Sequence, residues 1–322
     1  KQLGAVVFPG ENDGISVGGT ADPIPSGEVT IHFEYEAPLD DVPSGLYRVQ
    51  EEKRWYAFTQ FEPLEARTAF PCFDEPKYKT PFEVTLRVPK EMKAFSNTPD
   101  VSTEERDGKK VVEFTKSKPL PTYLVAFAVG DFDVVQAPAE AIPDLRFRVI
   151  TTKGKSDLAA YAIEHTPPIL KYQEDYFGSQ MPYRKLDFVA VPNFRAGAME
   201  NVGLVTYRES LLLLDEESAT PRDEYHAQGV IAHELAHMWF GNLVTPRWWN
   251  DLWLNESFAT WMATKTLVDV APELEADVDS VKSAVEVMSK DALESARAIR
   301  QPIESEGDIY NAFDSMTYTK GR

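Results

Sequence analysis

His233-Glu234-Leu235-Ala236-His237, followed after eighteen residues by Glu256 in Trp253-Leu254-Asn255-Glu256-Ser257, decides what the surrounding chain must build. The two histidines stand four apart. On a helix that spacing puts both imidazoles on one face, one turn apart, where they can share a metal ion. The gap to Glu256 is long enough to end the helix, turn, and present a carboxylate from a second helix. Two His and one Glu, with one position left for water, is the ligand set of a catalytic zinc site. A structural site would close its fourth position, usually with cysteine, and this chain has a single Cys, Cys72. Glu234 would stand beside one zinc ion as general base. The flanks Val230-Ile231-Ala232 and Met238-Trp239-Phe240 read as a buried helix, which seldom carries two His and a Glu without a reason. A three-histidine site would need Gly and His where Phe240 and Leu243 stand, so that type is excluded.

Upstream, Leu186-Asp187-Phe188-Val189-Ala190-Val191 reads as a buried strand. It leads into Pro192-Asn193-Phe194-Arg195-Ala196-Gly197-Ala198-Met199-Glu200-Asn201. Alone, Gly-Ala-Met-Glu-Asn is an ordinary turn with a solvated Glu. Combined with the histidine motif, it resembles the M1 family of zinc aminopeptidases, in the gluzincin group. Further segments carry the same resemblance. Thr59-Gln60-Phe61-Glu62-Pro63, Ala66-Arg67 and Ala69 to Pro76 are similar to the family's amino-terminal domain. Trp248 to Glu256 is similar to its third-ligand segment, and Phe313-Asp314 with Tyr318-Thr319-Lys320-Gly321 to its catalytic-tyrosine segment.

Further out, residues 1 to about 150 alternate like half-buried strands. Val29, Ile31, Phe33 and Tyr35 face one way, and so do Phe82, Val84, Leu86 and Val88, then Leu145, Phe147 and Val149. Pro and Gly clusters punctuate them. His32 falls on the polar face and reads as solvated. From Asp157 the period turns helical, with Pro167 and Pro168 predicting a kink or two helices. Strands follow at about 185–214, then the zinc helix, the Glu256 helix, a helix near 275–297 and one leading to Tyr318. The expected fold is multidomain α and β: an antiparallel β-rich domain over 1–152, then an α+β catalytic domain over 153–322. By resemblance the second is thermolysin-like and incomplete at its carboxy end, with a large helical domain beyond it and further strands before residue 1.

Composition agrees with packed cores: 43% hydrophobic and 11% aromatic over 322 residues. No apolar run reaches eighteen residues, so no membrane span is expected. A net charge of −19 argues against a nucleic-acid partner. It favours solubility and could attract peptide amino termini. Cys72 has no internal disulfide partner, which is compatible with the cytoplasm but leaves the compartment open.

Zinc on His233, His237 and Glu256 would lower the pKa of a bound water from roughly 16 to about 7, and Glu234 would take and return the proton. The resemblance implies the remaining roles. Tyr318 would hydrogen-bond the oxyanion. Glu200, with Glu62 and Gln60, would hold the α-ammonium of a peptide with a free amino terminus. The backbone at Gly197, Ala198 and Met199 would align the substrate strand, while Ala196 and Phe61 would wall the first side-chain pocket. Ser257 and Arg322 depart from the family's usual Gly and Ala. Three rival readings stand beside the aminopeptidase: a thermolysin-like endopeptidase, an epoxide hydrolase of the same family (disfavoured by Ala198 where that branch carries Gly), and an inactive binding protein.

Overall fold

The strand Lys185–Val191 is buried along its whole length because it lies between two apolar cores. Val189 and Val191 join one core, and Leu186, Phe188 and Ala190 join the other, as a strand covered on both faces requires. The computed structural model describes residues 5–9, 14–19 and 26–322. Lys1–Pro38 and Leu39–Arg322 are separate compact units. In the first unit, β1 (Ala5–Pro9) and β2 (Ile15–Gly19) pair antiparallel.

In chain order the second unit holds β3 (Gly45–Glu51), β4 (Arg54–Gln60), β5 (Thr85–Pro89), β6 (Lys93–Ser96), β7 (Asp100–Arg106), β8 (Lys109–Phe114), β9 (Phe127–Gly130), β10 (Phe132–Gln136) and β11 (Arg146–Thr152). It continues with α1 (Ala160–Phe177), β12 (Lys185–Val191), β13 (Ala198–Met199), β14 (Leu204–Arg208), α2 (Glu209–Leu212), α3 (Pro221–His237), α4 (Leu252–Val270), α5 (Ala276–Asp291) and α6 (Glu306–Ala312). Two antiparallel sheets come first, in the orders β3-β4-β9-β6 and β5-β8-β7. A mixed five-stranded sheet follows, ordered β10-β11-β12-β14-β13, with β11, β12 and β14 parallel. The expected class, antiparallel β structure followed by an α and β region, is the one observed. Among the described residues no helix is long and apolar enough to cross a membrane.

Three expectations are corrected. The boundary at 152/153 cuts the five-stranded sheet, because β11 pairs in parallel with β12 through Ile150↔Val189. Residues 132–152 therefore belong with the carboxy-terminal sheet. Residues 29–35 form no strand, and Val29, Ile31 and Tyr35 are exposed. Alternation marks two faces, but a strand also needs a neighbour for its backbone groups, and no described segment forms a ladder with this one. His32 is solvated there, close to Glu34. Of the kink or two helices expected at Pro167 and Pro168, two helices are excluded, since α1 runs through both. Their rings lie on the half-buried and exposed side, while Thr166, Ile169 and Leu170 are buried on the other. Packing of that face outweighs the lost backbone bonds.

Candidate active site

The helix α3 starts at a capping box. The Thr220 hydroxyl accepts from the Asp223 N–H, the Asp223 carboxylate accepts from the Thr220 N–H at 3.0 Å, and Pro221 fills the first helical position. Its last two turns carry His233, Glu234 and His237. The chain then turns back at Gly241, where φ is +121° and a Cβ would press on His237 Nδ1 at 3.2 Å. α4 packs across α3 and brings in Glu256 from its first turns. The result is a cleft of about 800 Å³ into which α3, α4, β13 and the end of β4 all project.

Three donor atoms converge in that cleft. His233 Nε2 lies 3.0 Å from His237 Nε2 and 3.2 Å from Glu256 Oε2, and His237 Nε2 lies 3.6 Å from the same oxygen. Ligands of a tetrahedral zinc, at bond lengths near 2.0–2.1 Å, sit about 3.3 Å apart, so the set fits the ion. The tautomers fit too. His237 Nδ1 is 2.9 Å from the Phe240 carbonyl, which can only accept, so Nδ1 carries the hydrogen and Nε2 turns its lone pair inward. His233 Nδ1 contacts the Thr260 hydroxyl at 3.4 Å. Lone pairs aimed at one point repel unless a cation or a proton lies between them. One zinc ion would be held here by His233, His237 and Glu256.

The surrounding field is strongly negative. Burial pushes the Glu62 carboxyl well above the usual range, and the charges of Glu200 and Glu256 push it further. Burial also raises Glu200 and Glu234, with His237 opposing in both cases. For Glu256 burial works against the charge, yet the contacts from His233 and His237 hold its pKa down to about 2. Burial disfavours charge on His233 and lowers its pKa. It disfavours charge on His237 as well, but Glu200, Glu256 and Glu234 outweigh it and raise that pKa well above 6.5. A field that holds a proton on a buried imidazole suits a dication in the same place.

Beside the cluster, four buried oxygens have no hydrogen-bond partner: Gln60 Oε1, Glu62 Oε1, Glu200 Oε1 and Glu234 Oε2. Glu200 and Glu234 are 3% and 5% exposed, so both carboxylates are sunk in the wall of the cleft. Gln60 is oriented by donating from Nε2 to Met199 Sδ at 3.4 Å. The loop before Glu200 is held from behind by Arg208, whose guanidinium donates to the carbonyls of Phe194, Arg195 and Ala196. β13 pairs only with β14, so Ala198 and Met199 lie on the sheet's edge, facing the cleft. Gly197 and Ala196 line the same wall.

Tyr318 sits in a π-helical turn, Met316–Lys320, after α6. Its ring stacks on that of His233 with centroids 6.2 Å apart. Burial, then the charges of Glu256, Glu62, Glu200 and Glu234, raise its pKa well above 10, so the phenol keeps its proton and can donate. All but one of the residues named from sequence as site residues line this cleft. Phe61 does not. It is wholly buried and packs edge-on against Phe70 and Phe127. Sequence reasoning passed over His226, Thr260 and Tyr310, which also line the cleft. His226 lies seven residues before His233, two turns along the same helix face, a spacing that would have revealed it.

Comparison with known proteins agrees with this architecture. Residues 11–124 match the peptidase M1 N-terminal domain, and residues 161–322 match the peptidase family M1 domain. Aminopeptidase M1-D of Oryza sativa subsp. japonica is 40% identical over 315 residues, 97% of this chain and 36% of that protein. Aminopeptidase M1 of Arabidopsis thaliana is 38% identical over the same shares. Endoplasmic reticulum aminopeptidase 2 of Homo sapiens is 39% identical over 297 residues, 90% of this chain and 31% of that protein. The chain thus spans about a third of the length of these relatives. Two domain matches in the order of the two structural regions, the second of them containing both histidines and Glu256, lead to one conclusion: the chain belongs to peptidase family M1.

Proposed function

We propose that the protein is a zinc aminopeptidase that removes single residues from peptides with a free amino terminus. The observation that carries this reading is the set of unpartnered, buried oxygens of Glu62, Glu200 and Gln60 next to the His233, His237 and Glu256 cluster. An endopeptidase has no use for such a cage, whereas an α-ammonium can donate to all three. The aminopeptidases among its relatives support the same reading.

His233, His237 and Glu256 would hold a zinc ion, which would supply a Lewis acid to acidify a water and polarise the scissile carbonyl. Glu62 and Glu200 accept hydrogen bonds from the substrate's ammonium and so measure one residue from the chain end. The exposed edge of β13 pairs with the substrate backbone, as an added strand would. Glu234 Oε2 takes the proton of the attacking water and returns it to the leaving nitrogen. The Tyr318 hydroxyl donates to the oxyanion as it forms. The small side chain of Ala196 leaves room for the first side chain.

The test is a pair of peptides, one with a free amino terminus and one acetylated. The free peptide should lose its first residue and the acetylated peptide should survive. Cleavage of the blocked peptide at an internal bond would transfer the site to an endopeptidase, and turnover of an epoxide would favour the hydrolase branch.

A further inference from the structure

Ser257 follows Glu256 directly on α4 and is 1% exposed. A helical serine usually bonds back to its own helix or points to water. Here the hydroxyl instead donates across to the Thr317 carbonyl, the residue before Tyr318. The turn bearing Tyr318 is closed from within. Asp314 accepts from the N–H groups of Met316 at 2.9 Å and Thr317 at 3.2 Å. Arg297 braces it, donating to Asp314, to the Ala312 carbonyl at 3.2 Å and to the Thr317 hydroxyl at 2.8 Å. Those bonds fix the shape of the turn, not its distance from α4. The Ser257 bond spans that gap. Gly321 closes over it from the other side, since a Cβ there would meet Ser257 Oγ and Cβ.

We propose that Ser257 is a positioning residue for Tyr318, setting the phenol against the metal-ligand carboxylate of the adjoining Glu256. This rests on the reading of Tyr318 as the oxyanion donor. The side chain next to a ligand thereby ties two separate elements into one reacting geometry. Its effect should pass through Tyr318 and through nothing else.

The experiment is a double-mutant cycle in the full-length protein, with Ser257→Ala, Tyr318→Phe and the pair, measured on an aminoacyl amide with zinc content determined for each. Tyr318→Phe should lower kcat on the order of 10²–10³-fold. Ser257→Ala should lower kcat about tenfold with KM unchanged, because a displacement near 1 Å costs about a hundredfold and one lost bond permits only part of it. In the Tyr318→Phe background the same change should cost less than about twofold. Gly321→Ala, which crowds the serine from the other side, should reproduce the Ser257→Ala loss. Zinc content should not change in any of them. An equal loss in both backgrounds would mean a general structural role and overturn the proposal, as would an unchanged kcat for Ser257→Ala. Zinc loss in Ser257→Ala would place its action on Glu256 instead. An inert Tyr318→Phe would remove the oxyanion role itself, and this inference with it, while leaving the zinc and ammonium sites standing.

Discussion

Glu200→Gln keeps the shape of the side chain and removes its charge. The carboxylate is 3% exposed, and its Oε1 has no partner. The residue's backbone carbonyl accepts from Asn242 Nδ2 at 2.8 Å, and that bond does not involve the side chain. The loop should therefore keep its place, and the loss should report on the ammonium alone. Truncating one partner of a buried charge pair costs about 2–5 kcal/mol. Glu62 remains to share the substrate's charge, so the lower part of that range applies, about 2–3 kcal/mol. At about 1.4 kcal/mol per factor of ten, kcat/KM should fall roughly 30- to 160-fold. The assay compares an aminoacyl amide with its des-amino analogue, with zinc measured in parallel. Against the des-amino substrate the variant should lose less than about threefold, since the interaction it lacks is absent from the parent reaction too. An equal loss on both substrates, or a loss of zinc, would refute the reasoning and assign Glu200 to the metal or to the fold.

Glu234→Gln should retain zinc and lower kcat by roughly 10²–10⁴-fold, the usual worth of a positioned base; a variant within tenfold of the parent would exclude that role. Zinc retention should depend on pH with a definite sign. The His237 pKa is raised, so below that raised value a proton competes for Nε2, and apparent affinity should fall by about tenfold per pH unit for one displaced proton. Chelator-buffered titrations between about pH 5.5 and 8 measure this, and a flat profile would remove His237 from the ligand set. Thr220→Ala deletes the hydroxyl of the capping box at the head of the histidine helix and should cost about 1 kcal/mol of stability by denaturant titration. Gly203→Ala should be worse, about 2–4 kcal/mol, because φ is +67° and the new Cβ would meet the carbonyls of Asn97 and Lys185. An unchanged midpoint would show that the backbone there can shift at little cost.

Local chemistry was legible in the sequence. The four-residue spacing of His233 and His237 means one helix face wherever the helix lies, and the apolar run at 186–191 means a strand covered on both sides. These follow from the geometry of single elements and need no partner to be known. The tertiary structure decided what depends on partners. The alternation at 29–35 specifies faces but cannot supply a neighbouring strand. Pro167 and Pro168 argue against a continuous helix until the buried face around Thr166, Ile169 and Leu170 is present to hold it together. The five-stranded sheet begins at Phe132 because β10 pairs with β11 and β11 finds β12, a pairing across 39 residues (Arg146↔Lys185) that local pattern does not encode. Phe61 enters a core and not a pocket wall because Phe70 and Phe127 close around it. The bond from Ser257 to Thr317 joins residues sixty positions apart. Spacing along one element is set by covalent geometry. Contact between elements is set by which faces bury each other, and only the folded chain shows that.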